Sequence, residues 1–336
     1  MSQPLIFVTG ATGFIGAHTV LQALEAGYSV RLSVRKESQI PTLKALFSKH
    51  ASRIDFVVIP DLTAPDAFKE ALQGAAYVFH LASPMLGGGS DFKRDHLDPA
   101  VQGTTVLLDA AKAVGTIKRI VIVSSVLALI SSDSLSRRRF HAKEGANYTI
   151  HFDTADPRFV DDTNTMYHAS KVLAHRATLE WVREHKPHFT VVTLHPVFVF
   201  GRNLLQTAAE DLSGTNAVLV GTLQAETPGI IMAAVDVRDV ALAHLRALDA
   251  TFDDDGDEVH EFLLGAGEAR GWTWEKVVRF VREKFPAVEV KLQGPFDAPP
   301  EVETDKAEKV LGIRWRGMED TMGELLRQQW DLGSQP

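Results

Sequence analysis

Along the first 201 residues, apolar positions follow two different rhythms. Short continuous apolar runs (LIFV at 5–8, SVRLSV at 29–34, IDFVVIPDLT at 54–63, YVFHLASP at 77–84, RIVIVSSVLAL at 119–129, FTVVTLHPVFVFG at 189–201) end in small, polar or turn-forming residues. Between them, apolar residues recur three and four apart, the repeat of a helix with one buried face. Continuous rather than alternating apolar runs suit strands covered on both sides. The pattern therefore predicts α/β architecture: a doubly wound, Rossmann-like parallel sheet of about seven strands, with EFLLGA at 261–266 as the last. Helices are expected from Phe14, over 64–72, over about 91–114 and from Asn164, with irregular chain at 131–163. After Gly201 the pattern loosens to Thr227, and MAAVDVRDVALAHLRAL resumes a helix with Asp236 or Asp239 near its start. WTWEKVVRFVREKF follows with Thr273 as N-cap, then a short strand and two helices over 288–332. The expected division is 1–200 with 233–264 as the sheet domain, and 201–232 with 265–336 as a smaller C-terminal substrate lobe.

The first strand runs directly into VTGATGFIG, with Gly10, Gly13 and Gly16 at the turn and a helix beginning at once. Strand, glycine turn and helix N-terminus together present backbone N–H groups and the positive end of a helix dipole to an anion. The chain has 24 glycines, so it is this context rather than the spacing that points to a dinucleotide's pyrophosphate, held by Gly10, Thr12, Gly13, Phe14, Ile15 and Gly16. An acidic residue at the end of the second strand would hydrogen-bond the ribose of NAD; here Arg35 and Lys36 stand there, which favours the 2′-phosphate of NADP. In a doubly wound sheet the ligand crevice lies at the C-terminal strand ends. That places Asp61 and Leu62 at the adenine, Leu81, Ala82 and Ser83 under the cofactor's middle, and Thr104 and Ser124 on its path. Pro196, Val197 and Val199 lie at the carboxamide. His80 and His195 read as structural, and the triplet Arg137–Arg139 as a solvated loop.

Composition narrows the class. A formal charge of −8 argues against nucleic acid or an anionic membrane surface as partner. The absence of cysteine removes disulfides, thiolate metal sites and cysteine nucleophiles together. No apolar stretch is long enough for a bilayer and no secretory leader is visible, so a cytoplasmic protein without a membrane partner is expected. The acidic run at 253–258 lacks the distal glutamate of a calcium loop and reads as a turn. No metal site is expected.

Tyr167 and Lys171, four apart, share a helix face beside the expected cofactor path. Carbonyl reduction needs a hydride donor and an acid for the developing oxyanion. Tyr167 can be that acid, Lys171 can lower its pKa and hold the nicotinamide ribose, and Ser125 can hydrogen-bond the substrate oxygen. TGATGFIG, Arg35, Asp61-Leu62, HLASP, PAVQGT, SSV, YHASK and HPVFVFG occur in the order seen in extended short-chain dehydrogenases/reductases. The chain most resembles the dihydroflavonol reductase and yeast methylglyoxal reductase subgroup. That resemblance implies NADP, a catalytic set of Ser125, Tyr167 and Lys171, a ketone or aldehyde substrate, and a monomer or homodimer. Pro84, Met85, Ser125, Val126, Tyr167, Phe198 and Arg202 would line the substrate pocket, mostly apolar and suited to a hydrophobic or aromatic carbonyl. The alternatives are an NAD-dependent nucleotide-sugar epimerase or dehydratase, which Arg35 disfavours, and a non-catalytic dinucleotide sensor, which the complete Ser–Tyr–Lys set disfavours.

Overall fold

The computed structural model describes residues 4–83, 91–152, 162–252 and 258–333. The strands are β1 (Leu5–Thr9), β2 (Ser29–Val34), β3 (Ile54–Val58), β4 (Ala75–His80), β5 (Arg119–Val123), β6 (His141–Ala142), β7 (Thr190–Pro196), β8 (Phe198–Phe200), β9 (Ala234–Asp236), β10 (Val259–Leu264) and β11 (Glu301–Val302). The helices are α1 (Phe14–Glu25), α2 (Ile40–Leu46), α3 (Asp98–Lys112), α4 (Ser132–Ser136), α5 (Thr163–His185), α6 (Gly214–Gln224), α7 (Val237–Asp249), α8 (Trp274–Lys284), α9 (Asp305–Val310) and α10 (Met318–Asp331). Seven parallel strands form the main sheet in the order β3-β2-β1-β4-β5-β7-β10. The chain winds outward from β1 to β3, then returns to β4 on the other side of β1. The C-terminal ends of β1 and β4 are therefore the switch point where a ligand crevice opens.

Side chains on β1 show why the sheet is covered on both faces. Ile6 and Val8 pack into one apolar cluster with α1 and α7, whereas Phe7 packs into another with α3 and the end of α5. Trp272, Trp274, Trp315, Met318, Met322 and Leu325 of the C-terminal segments join the α1–α7 side of this core. These C-terminal residues therefore share one buried core with the sheet.

Several expected boundaries shift. Residues 64–72 form successive turns, with Ala67 N–H donating to Ala64 and Lys69 to Asp66 (3.0 and 3.2 Å), rather than a helix. The third strand stops at Val58, before Asp61 and Leu62. The fifth stops at Val123, because Ser125 Oγ accepts from Leu127 N–H (3.2 Å) and caps a 3-10 turn over Val126–Leu129. The apolar run at 189–201 divides into β7 and β8, and the loose stretch after Gly201 contains α6. Asp236, at the end of β9, is the N-cap of α7, and Thr273 is that of α8. The expected acidic turn falls mostly on 253–257, outside the described residues.

Candidate active site

The crevice begins where β1 turns at Gly10, whose φ of +76° lies in the left-handed region. A Cβ there would sit 2.6 Å from the Ala82 nitrogen, and one at Gly16 would sit 2.0 Å from the Gly10 carbonyl oxygen. Only glycine lets β1, the chain after β4 and the start of α1 meet backbone to backbone. Gly13 caps α1 without a side-chain hydrogen bond, and no acidic residue occupies the first turn. The N–H groups of that turn lack intrahelical acceptors and carry the positive end of the dipole. Thr12 and Gly13 are exposed there, and Phe14 and Ile15 half-buried. Room for close backbone approach and unspent donors are what a pyrophosphate requires, so these residues fit a dinucleotide.

Beyond β2, Gln39 Oε1 accepts from the backbone N–H groups of both Arg35 and Lys36 (3.0 and 3.2 Å), leaving two exposed cationic side chains on a fixed loop. Asp61 lies across from them. Hydrogen bonds from the Thr63 hydroxyl and backbone, helped by the charge of Arg35, hold its carboxyl below its ordinary pKa. Thr63 thus engages one of the two carboxylate oxygens expected at the adenine. Leu62 packs beside Gly103 of α3, and the buried Thr104 donates its hydroxyl to the Ala100 carbonyl one turn back (3.0 Å).

The chain after β4 is clamped. Ala82 N–H donates to Thr9 Oγ1 (3.1 Å), which leaves the Thr9 hydroxyl proton for His80 Nδ1 (2.9 Å). Burial pushes the His80 pKa down to about 4, with the nearby Lys171 acting in the same direction, so the ring stays neutral and structural as expected. The clamp delivers Ser83, whose Oγ accepts from Lys171 Nζ (2.7 Å). Ser124 N–H donates to the Leu194 carbonyl (2.7 Å), and Ser125 follows it out of the sheet. The turn Val126–Leu129 packs on α5. Asn147, buried, ties the two together by donating from Nδ2 to the carbonyls of Ala128 (2.9 Å) and Val172 (3.0 Å). Sequence reasoning passed over Asn147, because a single asparagine in irregular chain has no spacing that marks it.

Asp162 caps α5 and sets the start of the helix that carries Tyr167 and Lys171. Lys171 Nζ lies 5.1 Å from the Tyr167 ring centre. Tyr167 is half-buried and Lys171 fully buried. One expectation is corrected here. Lys171 does not lower the phenol's pKa in the free chain: burial pushes Tyr167 up to about 12 and Lys171 down to about 8. Desolvation disfavours both charged forms, and the ammonium spends a proton on Ser83.

At the end of β7, Pro196, Val197 and Val199 are buried and Phe198 is half-buried, its ring stacked on Phe200 (centroids 6.0 Å apart). Arg202 is exposed, and its carbonyl accepts from His18 of α1 (2.8 Å). Pro84 and Met85 lie outside the described residues. The triplet expected to be solvated is only partly so. Arg138 donates to Asp297 (3.1 Å) and to the carbonyls of Pro228 and Ile230 (3.3 and 3.2 Å), fastening the chain after β5 to the lobe. His175, His195 and Glu261 gather buried ligating atoms within 4.8 Å of one another, a group no sequence spacing announced. A cavity of about 600 Å³ between α8 and α10, lined by Arg270, Lys276, Glu283 and Asp320 among others, contains none of the expected site residues. Among the described residues, no helix is long and apolar enough to cross a membrane.

A glycine cradle at the switch point, a serine just after β5, and a tyrosine and lysine on α5 are the features expected of a dinucleotide-dependent oxidoreductase of the short-chain type. Comparison with known proteins agrees. Residues 6–261 match the model of the NAD dependent epimerase/dehydratase family, and the chain belongs to that family. It is 36% identical to the ketoreductase sphI of Aspergillus fumigatus over 99% of this chain and 100% of that protein. Yeast methylglyoxal/isovaleraldehyde reductase Gre2, solved with NADPH, superposes with a TM-score of 0.81 at 25% identity, covering 99% of this chain and 100% of that one. Gre2 of Candida albicans, also solved with NADPH, shares the fold with a TM-score of 0.82 at 24% identity over 98% and 100%.

Proposed function

We propose that the protein reduces ketone or aldehyde carbonyls to alcohols with NADPH. The observation that carries this reading is the grouping of Ser125, just after β5, with Tyr167 and Lys171 on α5, the helix that packs on the turn capped by Ser125. NADPH, when bound, supplies a hydride from the nicotinamide C4. Gly10, Thr12, Gly13, Phe14, Ile15 and Gly16 would hold the dinucleotide's pyrophosphate, and Arg35 and Lys36 its 2′-phosphate. Asp61, Leu62, Leu81, Ala82, Ser83, Thr104, Ser124, Pro196, Val197 and Val199 line the remainder. The NADPH-bound Gre2 structures, similar over almost the whole chain, support that choice of cofactor.

Ser125 donates a hydrogen bond to the substrate oxygen and fixes it for Tyr167. With its pKa near 12, the phenol is fully protonated at neutrality and stands ready as an acid. As the carbonyl oxygen gains negative charge, the proton passes from Tyr167 Oη to it, and the Lys171 ammonium compensates the phenolate left behind. Lys171 Nζ donates to Ser83 and has two further N–H groups that could serve the ribose hydroxyls. The half-buried Tyr167 and Phe198 offer apolar surface to the substrate, with the buried Val126 packed in the core behind them, which favours a hydrophobic or aromatic carbonyl. Pro84 and Met85, and at the rim Arg202, complete the proposed lining.

The test is Tyr167→Phe. Turnover of a broad panel of aldehydes, ketones and β-ketoesters should fall by roughly 10²-fold or more, the scale of a lost general acid. The NADPH dissociation constant, read by nucleotide fluorescence, should stay within about threefold, since an interaction made only in the transition state leaves ground-state binding unchanged. Retained turnover would remove Tyr167 from the mechanism.

A further inference from the structure

Behind Ser125 lies a buried polar cluster that the chemistry above leaves unused. His195, at the end of β7, and His175, on α5 one turn beyond Lys171, are both fully buried and meet edge to face with ring centres 4.5 Å apart. His175 Nε2 is hydrogen-bonded to the Glu261 carboxylate on β10, whose other oxygen accepts from Gly145 N–H (2.6 Å). The two nitrogens of His195 face Ser125 and Thr193: Nδ1 lies 3.1 Å from the Ser125 carbonyl oxygen and Nε2 lies 3.0 Å from Thr193 Oγ1. A carbonyl can only accept, so Nδ1 carries the proton and Nε2 receives the Thr193 hydroxyl. Burial keeps the ring neutral, its pKa pushed down to about 3, which is consistent with this single tautomer.

The place of that hydrogen bond matters. The β5–β7 ladder runs out at Val123 and Leu194, with one further bond from Ser124 N–H to the Leu194 carbonyl. The Ser125 carbonyl lies past the reach of the ladder: it accepts from Ala128 N–H (2.9 Å) inside the 3-10 turn, and the imidazole gives it a second donor that ties this turn to β7. A charged Glu261 in this interior is expensive, and an apolar cluster of equal volume would hold the sheet as well or better. What the polar cluster adds is direction: a ring fixed on both nitrogens and braced edge-on by a second ring that is itself held by a carboxylate. These side chains could also converge on a cation, but both nitrogens of His195 are already engaged in hydrogen bonds.

We propose that His195, held by Thr193 and by the His175–Glu261 pair, is a positioning residue that fixes the Ser125 peptide so that Ser125 Oγ stays aimed at the substrate oxygen. The proposal rests on the reading of Ser125 given above. It is tested by His195→Asn, which sets an amide N–H near the position of Nδ1, against His195→Gln, which reaches the position of Nε2 instead, and His195→Leu, which has neither. Leucine and glutamine should lower kcat by roughly 10-fold to 100-fold, the scale of small misplacements in an active site, with KM for NADPH and carbonyl unchanged. Asparagine should restore kcat to within about threefold of the parent protein. In a Ser125→Ala background, His195→Gln should cost nothing more, because the group it positions is already gone. If His195→Leu fails to fold, the asparagine–glutamine contrast and the double variant still decide the matter. Equal losses in the asparagine and glutamine variants, or full additivity with Ser125→Ala, overturn the positioning role alone. A Ser125→Ala protein with parental kcat overturns the assignment of Ser125 and this proposal with it.

Discussion

At the level of single residues, desolvation governs the site. Lys171 Nζ lies 5.1 Å from the Tyr167 ring centre, and burial moves each pKa away from its charged form, to about 12 and about 8. The spacing of Tyr167 and Lys171 was legible from the sequence because a helix puts positions four apart on one face. The sign of the pKa shift was not, since it depends on how much water the folded walls exclude and on Ser83 as a competing acceptor 2.7 Å from Nζ. A pH dependence follows. The lysine is useful only when protonated, so kcat/KM for carbonyl reduction should be constant below about pH 7 and fall as pH rises through about 8. Tyr167 loses its proton far above that and contributes no limb in the working range. A pH–rate profile of the parent protein and of Lys171→Arg checks this. The arginine variant, always charged, should lack the limb whatever its absolute rate. A profile flat to pH 9.5 in the parent protein would show that Lys171 keeps its proton.

At the level of elements, apolar runs located the strands well and their ends poorly. β3 and β5 stop short of the apolar stretches that announced them, because side chains of the next residues reach back to the backbone: Asp61 to Thr63 N–H, and Ser125 to Leu127 N–H. Such local bonds release a chain from the sheet ladder, and the residues that form them are those at the crevice. The 64–72 segment carries a helical apolar pattern, with Phe68 and Leu72 buried, yet it closes as successive turns. The loop after β2 shows the same principle in use. Gln39 gathers the N–H groups of Arg35 and Lys36, so the cationic pair is presented from a fixed backbone. Arg35→Ala should raise KM for NADPH by roughly 10-fold or more, the range of a lost charge-assisted hydrogen bond. KM for NADH, which lacks the 2′-phosphate, should change by less than about twofold. Steady-state kinetics with both cofactors decide it, and equal changes would place the 2′-phosphate elsewhere.

For the whole molecule, the doubly wound sheet and its crevice were readable in advance because buried parallel strands and amphipathic helices leave strong periodic marks. The fastening of the C-terminal segments was not, since Arg138–Asp297 and the β6–β11 pair join residues far apart in the chain. The same burial that shapes the site makes the fold sensitive to acid. His80 and His244 are held neutral with pKa values of about 4, and His195 with about 3, against an ordinary 6.5; burial is the first cause in each. In all three the folded form binds protons less readily than the unfolded chain, so the stability they confer is full above pH 6.5. It drains away as pH falls towards 4 and 3. Between pH 7 and pH 5 each should cost about 2 kcal/mol, so the three together approach the whole stability of an ordinary domain. Glu261, held near 2 with His175 as partner, adds to the loss only below about pH 4.5. Glu144 and Asp239, raised above their ordinary values by burial, oppose it as they take up protons. Urea unfolding at pH 7, 6 and 5 should therefore show a midpoint falling steeply across this range. His244 is a clean probe: it packs against Phe79, with ring centres 5.4 Å apart, and donates to the Val240 carbonyl of its own helix (2.8 Å), with no member of the proposed catalytic set in those contacts. His244→Leu should make the fall of the midpoint with pH shallower while leaving kcat unchanged. A midpoint independent of pH between 7 and 5 in the parent protein would mean that these rings can take up protons inside the fold.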